Sequence, residues 1–204
     1  MSRPLIISDC DGVLLEFAAP FTVYLERVHA LTMKLESFSL AGNIRDRSGT
    51  AVPPEQFPAL LDEFFLDHMP TQTPLAGAVA ALARLAETCD VVVLTNIADH
   101  HAETRTHELA RLGMPYQVIG NHGPKGPPIA ALLARYQPSA AVFIDDLPPH
   151  HSSVAAHSPH VHRLHMVAEA ELRQLIPDAK DAHARIDHWA EALPHIETLL
   201  GDRR

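Results

Sequence analysis

The sequence predicts an α/β fold built on a mainly parallel sheet, and three observations carry that expectation. Three short apolar runs, Leu5-Ile6-Ile7, Val91-Val92-Val93-Leu94 and Ala141-Val142-Phe143-Ile144, each stop at a polar residue. They are continuous and rich in β-branched residues rather than alternating, which is the pattern of strands buried on both faces. Helical patterns lie between them, and strands alternating with helices imply parallel pairing through right-handed crossovers.

Each element has its own justification. Residues 116–119 and 161–166 are weaker strand candidates. Thr73-Pro74 reads as an N-cap followed by proline in the first helical turn. Leu75, Ala78, Val79, Leu82, Leu85 and Ala86 then form one apolar face. A more polar helix is expected over 98–112, closed by Gly113 with Pro115 just beyond. Residues 127–136 carry Ile129, Leu132 and Leu133 on one side and stop before Pro138. Two further helices are expected over 168–176 and 179–192, with Pro194 restarting the last turns.

Residues 17–72 break the alternation. Phe21, Tyr24, Leu25, Val28, Leu31 and Leu35 mark one amphipathic helix, and Phe57, Leu60, Leu61, Phe64 and Phe65 mark another. Residues 37–52, with Gly42-Asn43 and Ser48-Gly49, read as irregular chain or a small hairpin. The segment is expected to be a helical insertion packed over one end of the sheet.

A chain of 204 residues fits one domain with room for that insertion and can bury a core without staples. Lys and Arg number 16 against 25 Asp and Glu, a formal net charge of −9. This balance argues against nucleic acid or an anionic membrane as the main partner. Hydrophobic residues at 47% and charged residues at 20% are globular values. Cys10 and Cys89 are the only cysteines, so no disulfide framework is implied. The first apolar run meets Asp9 too early for a signal-peptide core, and none approaches the roughly 18 residues of a membrane helix. A soluble, cytoplasmic protein is expected.

Every apolar run ends in an acid or a hydroxyl, which gathers these groups at the carboxyl edge of the sheet, where open α/β sheets place ligands. Asp9 and Asp11 follow the first run, Thr95 and Asn96 close the second, and Asp145 and Asp146 follow the third. Lys125 sits in Gly123-Pro124-Lys125-Gly126-Pro127, just ahead of a helix. A carboxylate at Asp9 can attack a phosphoryl group and form an aspartyl-phosphate. Asp11 is suited to protonate the leaving oxygen and later to deprotonate the attacking water. Gly12 lets the backbone turn tightly and aim N–H groups at phosphate oxygens. Thr95 can donate a hydroxyl hydrogen bond to the transferring group and Lys125 can neutralise it. Clustered carboxylates without a Cys or His ligand pattern suit a hard cation, Mg²⁺ by preference.

In this set the sequence resembles the haloacid dehalogenase superfamily, most of whose members are phosphatases. Asp9-Cys10-Asp11-Gly12-Val13 is similar to its first motif, Thr95-Asn96 to its second, Lys125 to its third and Asp145-Asp146 to its fourth. The flank Thr73-Pro74-Leu75-Ala76-Gly77 also has the family's look, and the resemblance covers residues 3–20 and 70–165. It implies a Rossmann-like three-layer α/β/α sandwich as catalytic core over 1–16 and 73–204, with a small helical cap over 17–72. It implies Mg²⁺ on Asp9, the Asp11 backbone carbonyl and one acid of the fourth motif, with Thr95, Asn96 and Lys125 holding the phosphate. Asp146 is the expected direct ligand, and Asp145 the one acting through water or a neighbour, because adjacent residues at a strand end point oppositely.

Dehalogenase and phosphonatase relatives carry no acid where this chain has Asp11, so the resemblance points to phosphoryl transfer. The implied reaction is Mg²⁺-dependent hydrolysis of a small phosphorylated metabolite through an aspartyl-phosphate on Asp9. Two alternatives stand beside it: a sugar phosphomutase using the same residues, and a non-catalytic metabolite-binding or regulatory module. The cap looks shorter than the common four-helix version. That leaves the pocket open to larger substrates or calls for a partner subunit, as in a homodimer. Lys125-Gly126-Pro127 also departs from the pattern, since proline often follows the lysine directly.

Charge counting at this site sets four carboxylates against Mg²⁺ and Lys125, a balance that favours a protonated Asp11 when a phosphate dianion arrives. Other features read more plainly. The chain has 15 histidines, six of them between His150 and His165, and without cysteine or firm ligand spacing they read as structural or solvated rather than a zinc site. His150 is close enough to the fourth motif for a substrate contact. Cys10 should point away from the pocket and pack. Lys34, Arg45 and Arg47 could reach an anionic substrate tail, though such charges are mostly solvated surface. Trp189 reads as core beside Ile186, Leu193 and Ile196.

Overall fold

The computed structural model describes residues 2–37 and 40–201. The chain opens with β1 (Leu5–Ser8) and then leaves the sheet through α1 (Ala18–Tyr24), β2 (Thr32–Met33), β3 (Ile44–Arg45) and α2 (Phe57–Asp67). It returns as α3 (Ala78–Ala86), β4 (Asp90–Thr95), α4 (Ala102–Arg111), β5 (Gln117–Gly120) and α5 (Gly126–Tyr136). β6 (Ala141–Asp145), α6 (Pro148–His157), β7 (His162–His165), β8 (Ala184–Arg185) and α7 (Trp189–Gly201) complete it.

The main sheet has six parallel strands in the order β5-β4-β1-β6-β7-β8. Counting only these strands along the chain, that order is 3-2-1-4-5-6, the doubly wound Rossmann arrangement. The strands are buried on both faces because side chains alternate into two cores. Ile6, Val93, Val142 and Ile144 pack under α3, α4 and α7, whereas Leu5, Ile7, Val92 and Phe143 pack under α5 and α6. The expected three-layer α/β/α sandwich is present. No helix among the described residues is long and apolar enough to cross a membrane.

Several expected boundaries move. Thr73 does not cap a helix: its hydroxyl bonds Glu16 Oε2 at 2.9 Å and Leu75 N donates to Leu14 O, so 73–75 runs beside the first-motif loop. Gly77, at φ +85°, then turns the chain into α3. Residues 168–176 form successive turns, not a helix. The helix expected over 179–192 is replaced by the short edge strand β8 and the start of α7. There, His183 N donates to Arg163 O and Ile186 N to His165 O, so pairing with β7 overrides the helical pattern. Pro194 lies inside α7 rather than restarting it.

The segment between β1 and α3 is not only helical. α1 passes into one turn of π-helix (Leu25–His29) and stops at Ala30 in the left-handed region. Leu31 and Leu35 therefore fall outside the helix expected to hold them. β2 and β3 pair antiparallel, and a turn at 46–50 leads to a bridge between Arg45 and Ala51. Of the expected irregular stretch, Phe38 and Ser39 lie outside the described residues. Phe17, Phe21, Tyr24, Phe64 and Phe65 form a separate aromatic cluster with offset-stacked and edge-on contacts between 5.2 and 6.2 Å. Ile97, contributed by the loop after β4, is buried in the same cluster.

Candidate active site

Where β1 ends beside β6, the strand order reverses, and the two neighbouring crossovers leave in opposite directions. Asp9 stands at that point, its N–H still donating to Ile144 O of β6 at 2.8 Å. The chain then turns sharply: Leu14 N and Leu15 N both donate to Cys10 O, and Gly12 N donates to Leu15 O. Gly12 has φ +79°, and a Cβ there would lie 2.9 Å from Asp146 Oδ2. Only glycine lets the two acidic loops approach so closely. Trp189, a core residue as expected, donates its indole N–H to Val13 O at 2.8 Å and pins this loop to α7. Cys10 is fully buried in the α3/α7 core, where burial pushes its thiol up.

Lys125 is also fully buried. Its Nζ lies 2.8 Å from Asp9 Oδ1 and 2.6 Å from Asp145 Oδ2. Burial acts to lower the ammonium, but Asp145 and Asp9 outweigh it and hold the lysine charged. Burial likewise acts to raise Asp145, yet Lys125 with His150 and His151 outweighs it and brings that carboxyl below its usual range. Its other oxygen accepts from Leu147 N at 2.8 Å, so both are engaged. Asp9 ends at about 7, raised by burial and only partly offset by Lys125. Asp146 is pushed well above the carboxylate range by burial and by the charges of Asp145 and Asp9. No lysine or arginine among the described residues pairs with it. Gly126 explains why the lysine is not followed by proline here: a Cβ would lie 2.5 Å from His157 Nδ1, because α5 starts against α6.

Asp11 is held by residues the sequence reading did not single out. Gln72 Nε2 donates to its Oδ1 at 2.7 Å, and Arg105 Nη2 lies 3.1 Å from the same oxygen. Thr95 Oγ1 reaches Oδ2 at 3.4 Å. Arg105 projects from α4, is fully buried, donates to Gln72 Oε1 at 2.8 Å and stacks over Phe65 at 5.3 Å. Burial opposes its charge, and Asp11, Cys10 and Asp9 together more than restore it. Arg105 also corrects the charge count, since four carboxylates now face an equal number of positive charges once a divalent cation is included. The sequence held one clue: an arginine on the otherwise apolar face of 98–112.

Glu169 is the third residue missed. Its two oxygens accept the N–H groups of Phe17 and Ala18, each at 2.9 Å, where the chain enters α1. Burial raises it to about 7 against the pull of those N–H donors.

Asp9, Asp11, Gly12, Thr95, Asn96, Asp146 and His150 line one cleft with Glu169. Lys125 and Asp145 lie behind its floor and do not line it. Asn96 donates to Gly123 O at 3.1 Å and accepts from Asn121 at 2.7 Å. Two of the other histidines serve structure. His151 and His165, kept neutral by burial, donate Nε2–H to the backbone carbonyls of Asp145 and Asp146 at 3.0 and 2.9 Å. Among the described residues no cluster of three potential metal ligands includes a histidine of 150–165. Lys34, Arg45 and Arg47 stay outside the cleft. A second contact joins insertion and core: Asp62 Oδ1 of α2 lies 2.8 Å from His101 Nε2 and 3.2 Å from His100 Nε2.

This geometry belongs to an α/β protein with an acidic switch-point site and a segment folded over it. Its fold is that of the haloacid dehalogenase-like proteins. A hydrolase of that family from Streptococcus pneumoniae superposes with a TM-score of 0.66 at 13% identity, over 94% of this chain and 97% of the other. A structure assigned as a phosphoglycolate phosphatase from Lactobacillus plantarum gives 0.65 at 14% identity, over 95% and 99%. One assigned as a β-phosphoglucomutase from Thermotoga maritima gives 0.64 at 16%, over 96% and 99%. No protein-family model and no curated protein matches the chain.

Proposed function

We propose that the chain is a member of the haloacid dehalogenase superfamily and a cytoplasmic, Mg²⁺-dependent phosphatase of a small organic phosphate ester, with residues 17–72 as its cap. The carrying observation is the placing of Asp9 and Asp11 in one cleft, each fixed by its own buried cation. Lys125 and Cys10 N occupy Asp9 Oδ1, which leaves Oδ2 as the nucleophile. As Oδ2 bonds to phosphorus, the ester P–O bond breaks and Asp11 delivers a proton to the leaving oxygen. Water then attacks the aspartyl-phosphate, Asp11 takes its proton, and the P–Oδ2 bond breaks to release inorganic phosphate. Thr95 and Asn96 flank the phosphoryl position, and Lys125 acts from behind Asp9 rather than as an open phosphate ligand.

Three carboxylates with oxygens within 4.8 Å of one another, one of them without a cationic partner, fit a hard divalent cation. Asp9, Asp146 and the Asp11 carbonyl would hold it, since both oxygens of Asp145 are engaged. Mg²⁺ supplies positive charge against which a phosphate dianion can bind. Phosphate release from p-nitrophenyl phosphate should require Mg²⁺, stop with EDTA and be lost in Asp9→Asn. Acid-quenched Asp11→Asn should retain a phosphoryl group on the Asp9 peptide by mass spectrometry. Turnover by Asp9→Asn at the wild-type rate would overturn the mechanism. Phosphoryl return to a sugar without net release would identify a mutase, and neither activity would leave a binding module.

A further inference from the structure

Above the acidic floor, the walls of the cleft change character completely. Phe17, Leu40, Phe57, Leu61 and Phe65 come from the insertion, and face Leu147, Leu172, Leu175 and Ile176 of the core. Phe57, Leu61, Leu147 and Leu175 remain only half-buried, so apolar surface is left open to the cleft from both sides. No lysine or arginine lines it among the described residues. The acids that do line it, Asp9, Asp11, Asp146 and Glu169, would repel a second anionic group on a ligand.

Polar capacity is equally limited. The Asn96 side chain, the best candidate to read a hydroxyl, is already engaged at both ends by Gly123 and Asn121. Its amide also stands 3.4 Å from His150 Nε2, so that ring nitrogen accepts and Nδ1 carries the proton. Nδ1 is buried and has no partner. Buried, that nitrogen offers a ligand no ready donor, and the other polar groups of the cleft gather at its acidic floor. Between the apolar walls the several hydroxyls of a sugar phosphate would be buried without partners, which is unfavourable. A carboxylate such as that of phosphoglycolate would meet no cation.

Resting on the phosphatase reading, we infer that the substrate is a monophosphate ester of an apolar alcohol, an alkyl or aryl chain seated between the insertion and residues 172–176. Phosphate specificity then comes from the floor and affinity from burial of the organic group. Each methylene that leaves water should strengthen binding by up to about fourfold.

The test is a chain-length ladder read by two methods. Calorimetric titration of butyl-, hexyl- and octylphosphonate, which cannot be hydrolysed, is run with Mg²⁺ beside phosphonoacetate. Phosphate release is measured from the matching alkyl phosphates, acetyl phosphate and glucose 6-phosphate. We expect affinity to climb two- to fourfold per methylene. Phosphonoacetate should bind worse than butylphosphonate, and kcat/KM for octyl phosphate should exceed that for glucose 6-phosphate at least tenfold. In Leu61→Asn and Phe57→Asn, with folding checked by circular dichroism, the slope of the ladder should fall by half or more. A flat ladder, or tighter binding of phosphonoacetate, overturns the inference, and acetyl phosphate turnover in that case leaves the phosphatase reading standing. A steep phosphonate ladder with no ester hydrolysed sustains the ligand class and overturns the chemistry.

Discussion

Asp9 and Asp11 are two residues apart, yet their carboxylates are fixed by different parts of the molecule. Asp9 is held by Lys125, which also grips Asp145, so its neighbours are groups at strand ends of the sheet. Asp11 is held by Gln72 and Arg105, one where the insertion rejoins the core and the other on a flanking helix. The first arrangement is dry and tied to the sheet. The second is partly open, with Asp11 still 17% exposed, and lies on the seam with the insertion. In the proposed mechanism the nucleophile is thus anchored to the sheet and the proton-transfer group to the seam with the insertion.

The difference can be broken from either side. Asp9→Asn removes the proposed attacking group and should lower phosphate release by roughly 10³-fold or more; a loss under tenfold would remove Asp9 from the chemistry. Lys125→Met leaves two buried carboxylates unpaired and should destabilise by about 3–5 kcal/mol in urea unfolding. Arg105→Met strands one partly hydrated carboxylate, so about 2–3 kcal/mol is expected there. If it proves the more damaging of the two, the contrast between a dry and an open half fails.

Glu169 sharpens the comparison through pH. Its folded value near 7 stands above the unfolded carboxylate, so the folded state binds the proton more tightly. That contribution is full below the unfolded value and is lost as pH rises through about 7. Wild type should therefore lose on the order of 1–3 kcal/mol more than Glu169→Gln between pH 5 and pH 8. Parallel pH profiles of the two proteins in thermal melts would refute it. Smallest is Asp62→Ala at the exposed seam contact, with about 1 kcal/mol or less in stability and a raised KM as the insertion loosens.

The sheet was legible because its central strands are short, continuous apolar runs that nothing else in the chain imitates. The acids at their ends were legible for the same reason: they mark where burial stops. Arg105, Gln72 and Glu169 were not, because each lies far in sequence from the aspartate or backbone it serves. An arginine on the apolar face of 98–112 hints at a buried partner, but only the fold supplies Asp11. Residues 179–192 misled for a different reason. Their helical spacing was real, but β7 offered Arg163 O and His165 O as partners, and edge pairing prevailed.

The junction of the insertion carries one more consequence. Chain leaves at Glu16 and comes back at Thr73, and these two residues are joined by a backbone hydrogen bond of 2.9 Å and a side-chain bond of the same length. Ends that touch make the length of whatever lies between them nearly irrelevant to the sheet, since closing a longer loop adds only a slowly growing entropy. Evolution could therefore lengthen, shorten or exchange the cover as a cassette, retuning what the cleft accepts while the acidic site beneath is inherited intact.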